Sequence, residues 1–199
     1  MQYSLNVVFI PVFAILCSGC RVSEGALKAR QYPLADRNTW TYLVSDSDSE
    51  MADTVSITVV RTVFDQGGIR EQELLTTYRG RIIAGSVVTS GNKVSVLAGL
   101  SGRPTYMVQF PLSVGSQWGQ DPAPQYRVEA VDTITSPCGD RRQTYRIHMH
   151  SNTPEDFSGS TFWIAPEIGL VRMIAVEGDL MSWRRNVTHW ELLSFSSGH

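Results

Sequence analysis

Three cysteines and two lysines are all that this 199-residue chain carries of either type. Cysteine at that density rules out a disulfide-built scaffold, so an ordinary hydrophobic core must hold the fold. The 17 basic residues are scattered against 19 acidic ones, for a formal charge of -2. Such a spread gives no electrostatic footprint for nucleic acid. No apolar stripe at helical spacing runs through the chain, and beyond a short turn over Gly25 to Gln31 little helix is expected. The apolar run from Val7 to Leu16 covers only about half of the roughly 20 residues that a membrane-crossing helix needs.

That run fits the core of a secretory signal. It ends in Cys17-Ser18-Gly19-Cys20, which resembles a bacterial lipobox, although Cys17 stands where leucine is usual and the first six residues carry no Lys or Arg. The resemblance implies that residues 1–19 are a lipoprotein signal peptide and that Cys20 is the lipidation site, its palmitate-type acyl chains anchoring the chain to a membrane. Residues 20–31 are then a polar, lipidated tether. Arg21 is not the Asp that retains lipoproteins in the inner membrane of enteric bacteria, which favours the cell outer membrane. The other reading is an ordinary signal cut nearby, releasing a secreted or periplasmic protein. If Cys20 is acylated, Cys138 is alone in the mature chain and no intramolecular disulfide forms.

After the tether the pattern is all-β. Turn signals at Asp65-Gln66-Gly67-Gly68, Arg79-Gly80, Ser90-Gly91-Asn92, Cys138-Gly139-Asp140 and Glu177-Gly178-Asp179 separate runs rich in Val, Ile, Thr and aromatics. Val55, Ile57 and Val59 alternate with Ser56 and Thr58, and Tyr145, Ile147 and Met149 with Arg146, His148 and His150. Each such strand buries one face. The expected fold is an antiparallel meander over residues 32–195, forming one large curved sheet, a half-barrel or a sandwich.

One internal echo divides it. Tyr32-Pro33-Leu34 with Trp40 is matched, 78 residues on, by Phe110-Pro111-Leu112 with Trp118. Two similar halves, about 32–109 and 110–195, are therefore expected. In each copy the aromatic-Pro pair sets an extended entry, the leucine enters the core and the tryptophan opens the next strand. These segments, together with Trp163-Ile164-Ala165-Pro166-Glu167-Ile168-Gly169-Leu170-Val171-Arg172, resemble signature motifs of a broad group of uncharacterised bacterial secreted proteins and lipoproteins, of the form FPL-x-x-G-N-x-W-x-Y and W-Y-A-P-G-V-G-L-V-K. The resemblance runs from Tyr32 to Leu193 and implies a mostly antiparallel sheet with no catalytic residue. Arg37 takes a position where that group has glycine, and Ser136-Pro137-Cys138-Gly139-Asp140 replaces its Val-Pro-Ala-Gly-Thr turn. The Trp163 segment itself reads as a hairpin, with Phe162 and Ile164 on one face, Pro166 ending the strand and Gly169 supplying a positive φ.

Chemical sites are thinly represented. His148 and His150 share a strand face and supply two candidate metal ligands, with His189 or Cys138 as an unplaced third; a zinc-type site needs three or four. That face, shared with Arg146, is the one alternation gives to solvent. Asp46, Asp48, Glu50 and Asp53 superficially resemble a calcium loop, but Met51 stands where glycine is required and Ile57 where glutamate is. They read as a solvated hairpin loop, and Glu71 and Glu73 as polar residues on an exposed strand face. No Gly-x-Ser-x-Gly elbow occurs, and Gly67-Gly68 has neither the lysine nor the helix of a phosphate loop. No catalytic residue, cofactor or resident metal is expected. The expected function is that of a non-enzymatic envelope lipoprotein presenting a β-sheet surface, with Trp40, Trp118 and Trp163 as binding residues for a protein or glycan partner. The alternative is a carrier or sensor holding a lipid or other apolar ligand in a half-barrel cavity.

Overall fold

The computed structural model describes residues 32–47, 51–97, 104–119, 124–136, 139–152, 156–165, 167–179 and 184–198. Cys20, the tether, Asp48, Glu50, Pro137, Cys138 and Pro166 lie outside the described residues. Twelve strands form one antiparallel sheet: β1 (Thr39–Asp46), β2 (Asp53–Gln66), β3 (Ile69–Tyr78), β4 (Arg81–Ser90), β5 (Lys93–Leu97), β6 (Pro104–Gln109), β7 (Gln117–Trp118), β8 (Gln125–Thr135), β9 (Arg141–Asn152), β10 (Asp156–Ala165), β11 (Gly169–Asp179) and β12 (Arg184–Ser196).

The order across the sheet is β6-β5-β4-β3-β2-β1-β12-β11-β10-β9-β8-β7. Successive strands are neighbours except β6 and β7, which end the order, and the first strand pairs with the last, Thr39 opposite Ser196 and Asp46 opposite Thr188. The sheet curls into a nearly closed barrel whose open seam lies between β6 and β7. Aromatic side chains reinforce the β1–β12 junction: Trp40 lies 5.5 Å from Phe195 and Tyr42 5.6 Å from Trp190, ring centre to ring centre.

Alternation decides which face turns inward. Val55, Val59, Leu74, Val87, Val94, Val128 and Ile147 are buried, while the residues between them are largely polar. A membrane-spanning barrel would show the inverse, apolar outside and polar within. An eight-stranded barrel is just wide enough for side chains to fill, and width grows with strand number. This wider ring is filled by large aromatics meeting across the interior, as Tyr106 of β6 meets Phe162 of β10 at 5.5 Å.

The two halves repeat one local structure. In the first copy the Arg37 N–H donates to the Val59 carbonyl at 2.7 Å and the Val59 N–H returns to the Asn38 carbonyl at 2.9 Å. In the second, Gly115 donates to Val128 at 2.8 Å and Val128 to Ser116 at 2.9 Å. Each copy also closes a turn, Asn38 N–H to Ala35 and Ser116 N–H to Ser113. Arg37 and Gly115 both have positive φ, 67° and 90°. The two entry aromatics, Tyr32 and Phe110, meet edge to face at 6.4 Å. The echo in sequence is therefore an echo in hydrogen bonding.

Hairpins form at Gly67-Gly68, Arg79-Gly80 and Gly91-Asn92, each at positive φ where the turn requires it, and β10 and β11 form the hairpin expected around Trp163. The expected turn at Glu177-Gly178-Asp179 is corrected. These residues continue β11, with Gly178 opposite Phe157 on one side and Arg185 on the other. Pairing from both flanks holds them extended, outweighing the local preference of Gly and Asp for a turn.

Candidate functional site

Inside the barrel, lined mostly by the first half and completed by β11 and β12, lies a cavity of about 140 Å³. β1 contributes Trp40 and Tyr42; β3 contributes Leu74 and Thr76; β4 and β5 contribute Val87 and Val96. Tyr106 of β6, Leu170 and Met173 of β11 and Trp190 of β12 also line it. Tyr32 and Leu34 lie over it from the entry segment. No charged side chain is among its lining residues.

Polar groups at this cavity are tied into the wall. The indole N–H of Trp40 donates to the Ile168 carbonyl at 2.6 Å, and the Tyr42 hydroxyl donates to the Leu170 carbonyl at 3.0 Å. The hydroxyls of Tyr32 and Tyr106 are 2.7 Å apart. Burial raises the pKa of all three tyrosines: Tyr32 is pushed up to about 12, and Tyr42 and Tyr106 well above their ordinary value. The cavity wall is therefore uncharged at any physiological pH. Tyr32 rests on Gly169, whose φ is +87° and whose missing Cβ would stand 2.9 Å from the tyrosine oxygen.

Gln72, 1% exposed, is the cross-strand partner of the lining residue Val87 but is not itself among the residues that line the cavity. Its amide nitrogen donates to the Leu34 carbonyl at 2.5 Å, while its Oε1 is buried without a partner among the described residues. The sequence reading missed this residue, although its place in the β3 alternation with Leu74 and Thr76 marks it as inward-facing.

The three tryptophans singled out from sequence do not make a shared exposed patch. Trp40 is 5% exposed and lines the cavity. Trp118, 7% exposed, stacks on Tyr126 with ring centres 5.4 Å apart and donates to the Met107 carbonyl at 3.1 Å. Trp163 is half-buried on the strand face opposite Phe162 and Ile164, where its indole donates to Asp132 at 2.9 Å and the Arg172 guanidinium lies 5.8 Å from its ring centre. Arg146 and Asp132, and Arg172 and Glu191, extend this outer network as ion pairs.

His148 and His150 stack at 6.3 Å, and His148 Nδ1 lies 3.4 Å from the Thr161 hydroxyl. Among the described residues no group of three His, Cys, Asp or Glu is placed to hold a metal. Asp53, at the far end of the acidic hairpin loop, pairs with Arg79, which holds its carboxyl below the usual range, and Glu73 pairs with Arg61 at 2.9 Å.

No family model matches the chain, and no curated protein matches it. Among solved structures it is similar to a candidate exported protein with a YmcC-like fold from Bacteroides fragilis, at 15% identity and a TM-score of 0.51, covering 83% of this chain and 98% of the other. A candidate lipoprotein from Parabacteroides distasonis aligns at 12% identity and a TM-score of 0.49, covering 83% of this chain and 97% of that one. The first likeness shows a shared fold.

Proposed function

We propose that this chain is an exported, non-catalytic binding protein that holds a small apolar ligand, or the apolar end of a larger one, in the barrel interior. The observation that carries this reading is the uncharged, aromatic-walled cavity of about 140 Å³. It is close to the roughly 150 Å³ apolar cavity known to stay dry and to bind benzene. Anchoring through Cys20 would hold the barrel at the cell envelope, on the outer membrane by the Arg21 criterion. Burial of Trp40 favours the interior over an exposed tryptophan patch as the binding surface.

The test uses the chain from residue 20 onward with Cys20→Ser, which keeps every described residue. Titration calorimetry with benzene is expected to give saturable binding that Leu74→Trp abolishes by filling the cavity. A folded protein that takes up no benzene contradicts the reading. A second reading, docking of an envelope protein or glycan on the outer face, is favoured by the Trp163–Asp132–Arg172 network. It predicts that Trp163→Ala lowers partner recovery from crosslinked envelopes while leaving benzene binding intact.

A further inference from the structure

Gly85 stands in the middle of β4, opposite Leu74 of β3. Glycine weakens a strand interior, because it loses the most conformational freedom on folding and brings no side chain to pack. Two demands justify it there. The first is a left-handed backbone, and Gly85 does not have one: the glycines at positive φ include Gly80 and Gly91, in the turns that flank β4, but not Gly85. The second is a need for space beside the backbone.

The surroundings of Gly85 point to that second demand. It lines the cavity, as do Leu74, its partner across the ladder, and Val87, two positions along the same strand. Alternation puts residues 85 and 87 on one face of β4, so a side chain at 85 would project on the face that Val87 turns to the cavity. Ala84, one residue back, is exposed on the outer face. Leu74 and Val87 fill their positions with buried side chains, whereas Gly85 has only backbone to offer the wall.

We infer that Gly85 is the specificity-determining residue of the cavity: by withholding a side chain from the inner face of β4, it keeps open the space for a ring-sized apolar group of the ligand. This rests on the cavity reading above and adds the residue that sets how large that group can be. A strand of the same pattern with valine at 85 would gain β propensity and packing contacts, and would spend them on closing the site.

Benzene calorimetry and urea unfolding on the same Cys20→Ser chain compare Gly85→Ala, Gly85→Val and Ala84→Val. Gly85→Ala is expected to weaken benzene about fourfold, the worth of one methyl-sized contact, and Gly85→Val about fiftyfold or more. Both should keep or raise the urea midpoint, because a side chain enters open space. Ala84→Val, on the outer face of the same strand, is expected to leave benzene affinity unchanged. A folded Gly85→Val protein that binds benzene as tightly as the parent overturns the inference and leaves the cavity reading standing. So does an Ala84→Val protein that loses benzene equally, since the effect would then belong to the strand and not to the inner face. If Gly85→Val does not fold, Gly85→Ala decides: weaker benzene at an unchanged or raised midpoint supports the inference, and a lowered midpoint or unchanged benzene affinity overturns it. A folded parent that takes up no benzene overturns both readings.

Discussion

The indole N–H of Trp118 donates to the backbone carbonyl of Met107 at 3.1 Å, across the gap between β7 and β6. The Met107 backbone also bonds the hydroxyl of Tyr126, whose ring stacks on Trp118 and whose pKa burial pushes up to about 12. Two side chains thus stand in for a ladder at the one place where the ring of strands is not joined by backbone pairing among the described residues. An unpaired edge strand is a template for aggregation, and these aromatics cover it.

Trp118→Phe keeps much of the ring but removes the donor. It is expected to cost about 1–3 kcal/mol in urea unfolding, the range for stranding a buried acceptor. Amide exchange should quicken in β6 before it quickens in β3. Unchanged stability and unchanged β6 exchange would show that the seam is held by other contacts.

Arg37 occupies the left-handed region at φ 67° in the first copy of the repeat, where the second copy has Gly115 at 90°. A side chain there costs about 1–2 kcal/mol, partly offset by the greater unfolded-state freedom of glycine. Arg37→Gly is expected to stabilise the fold by roughly 0.5–1 kcal/mol, read as a raised urea midpoint with unchanged slope. A lowered midpoint would mean that the arginine makes compensating contacts.

Buried tyrosines set the alkaline limit. The folded Tyr32 titrates near 12 against an unfolded value near 10, so the unfolded chain loses its proton first as pH rises. Stability from this group is complete below pH 10 and is lost progressively from there to about pH 12. Tyr42 and Tyr106 act in the same direction. Denaturant midpoints measured across this range should fall steeply, and less steeply in Tyr32→Phe. Equal slopes would contradict the assigned burial.

Leu74→Trp fills the cavity with side chain. Its expected signature is loss of benzene uptake with an unchanged or higher melting temperature, since filling a void restores contacts that the lining lacks. A fall of several kcal/mol would indicate overpacking of a space that is already full.

Much of the local architecture was legible in sequence because it rests on short-range chemistry. Val55, Ile57 and Val59 alternate because a strand's faces do, and Gly67-Gly68 and Arg79-Gly80 mark hairpins because tight turns need positive φ. The offset of Tyr32 and Phe110 revealed the repeat, down to paired positions that bond Val59 and Val128. Long-range outcomes were hidden. Nothing local says that Thr39 will face Ser196 and so roll the meander into a barrel. Gly178 has turn chemistry and is nonetheless held in a strand by neighbours on both sides. The candidate site was partly legible: Trp40 was singled out as the residue that opens the first strand and as a candidate binding residue, and it stands in the cavity wall. Gln72 went unnoticed because its burial depends on Leu34 crossing over it.

Native against denaturing mass spectrometry of the chain purified from a bacterial envelope tests the central claim most directly. The account predicts a folded protein that loses the mass of a small organic molecule on denaturation, and a Leu74→Trp variant that carries none. Identical masses in the two conditions, from a parent that also fails to take up benzene, would contradict it.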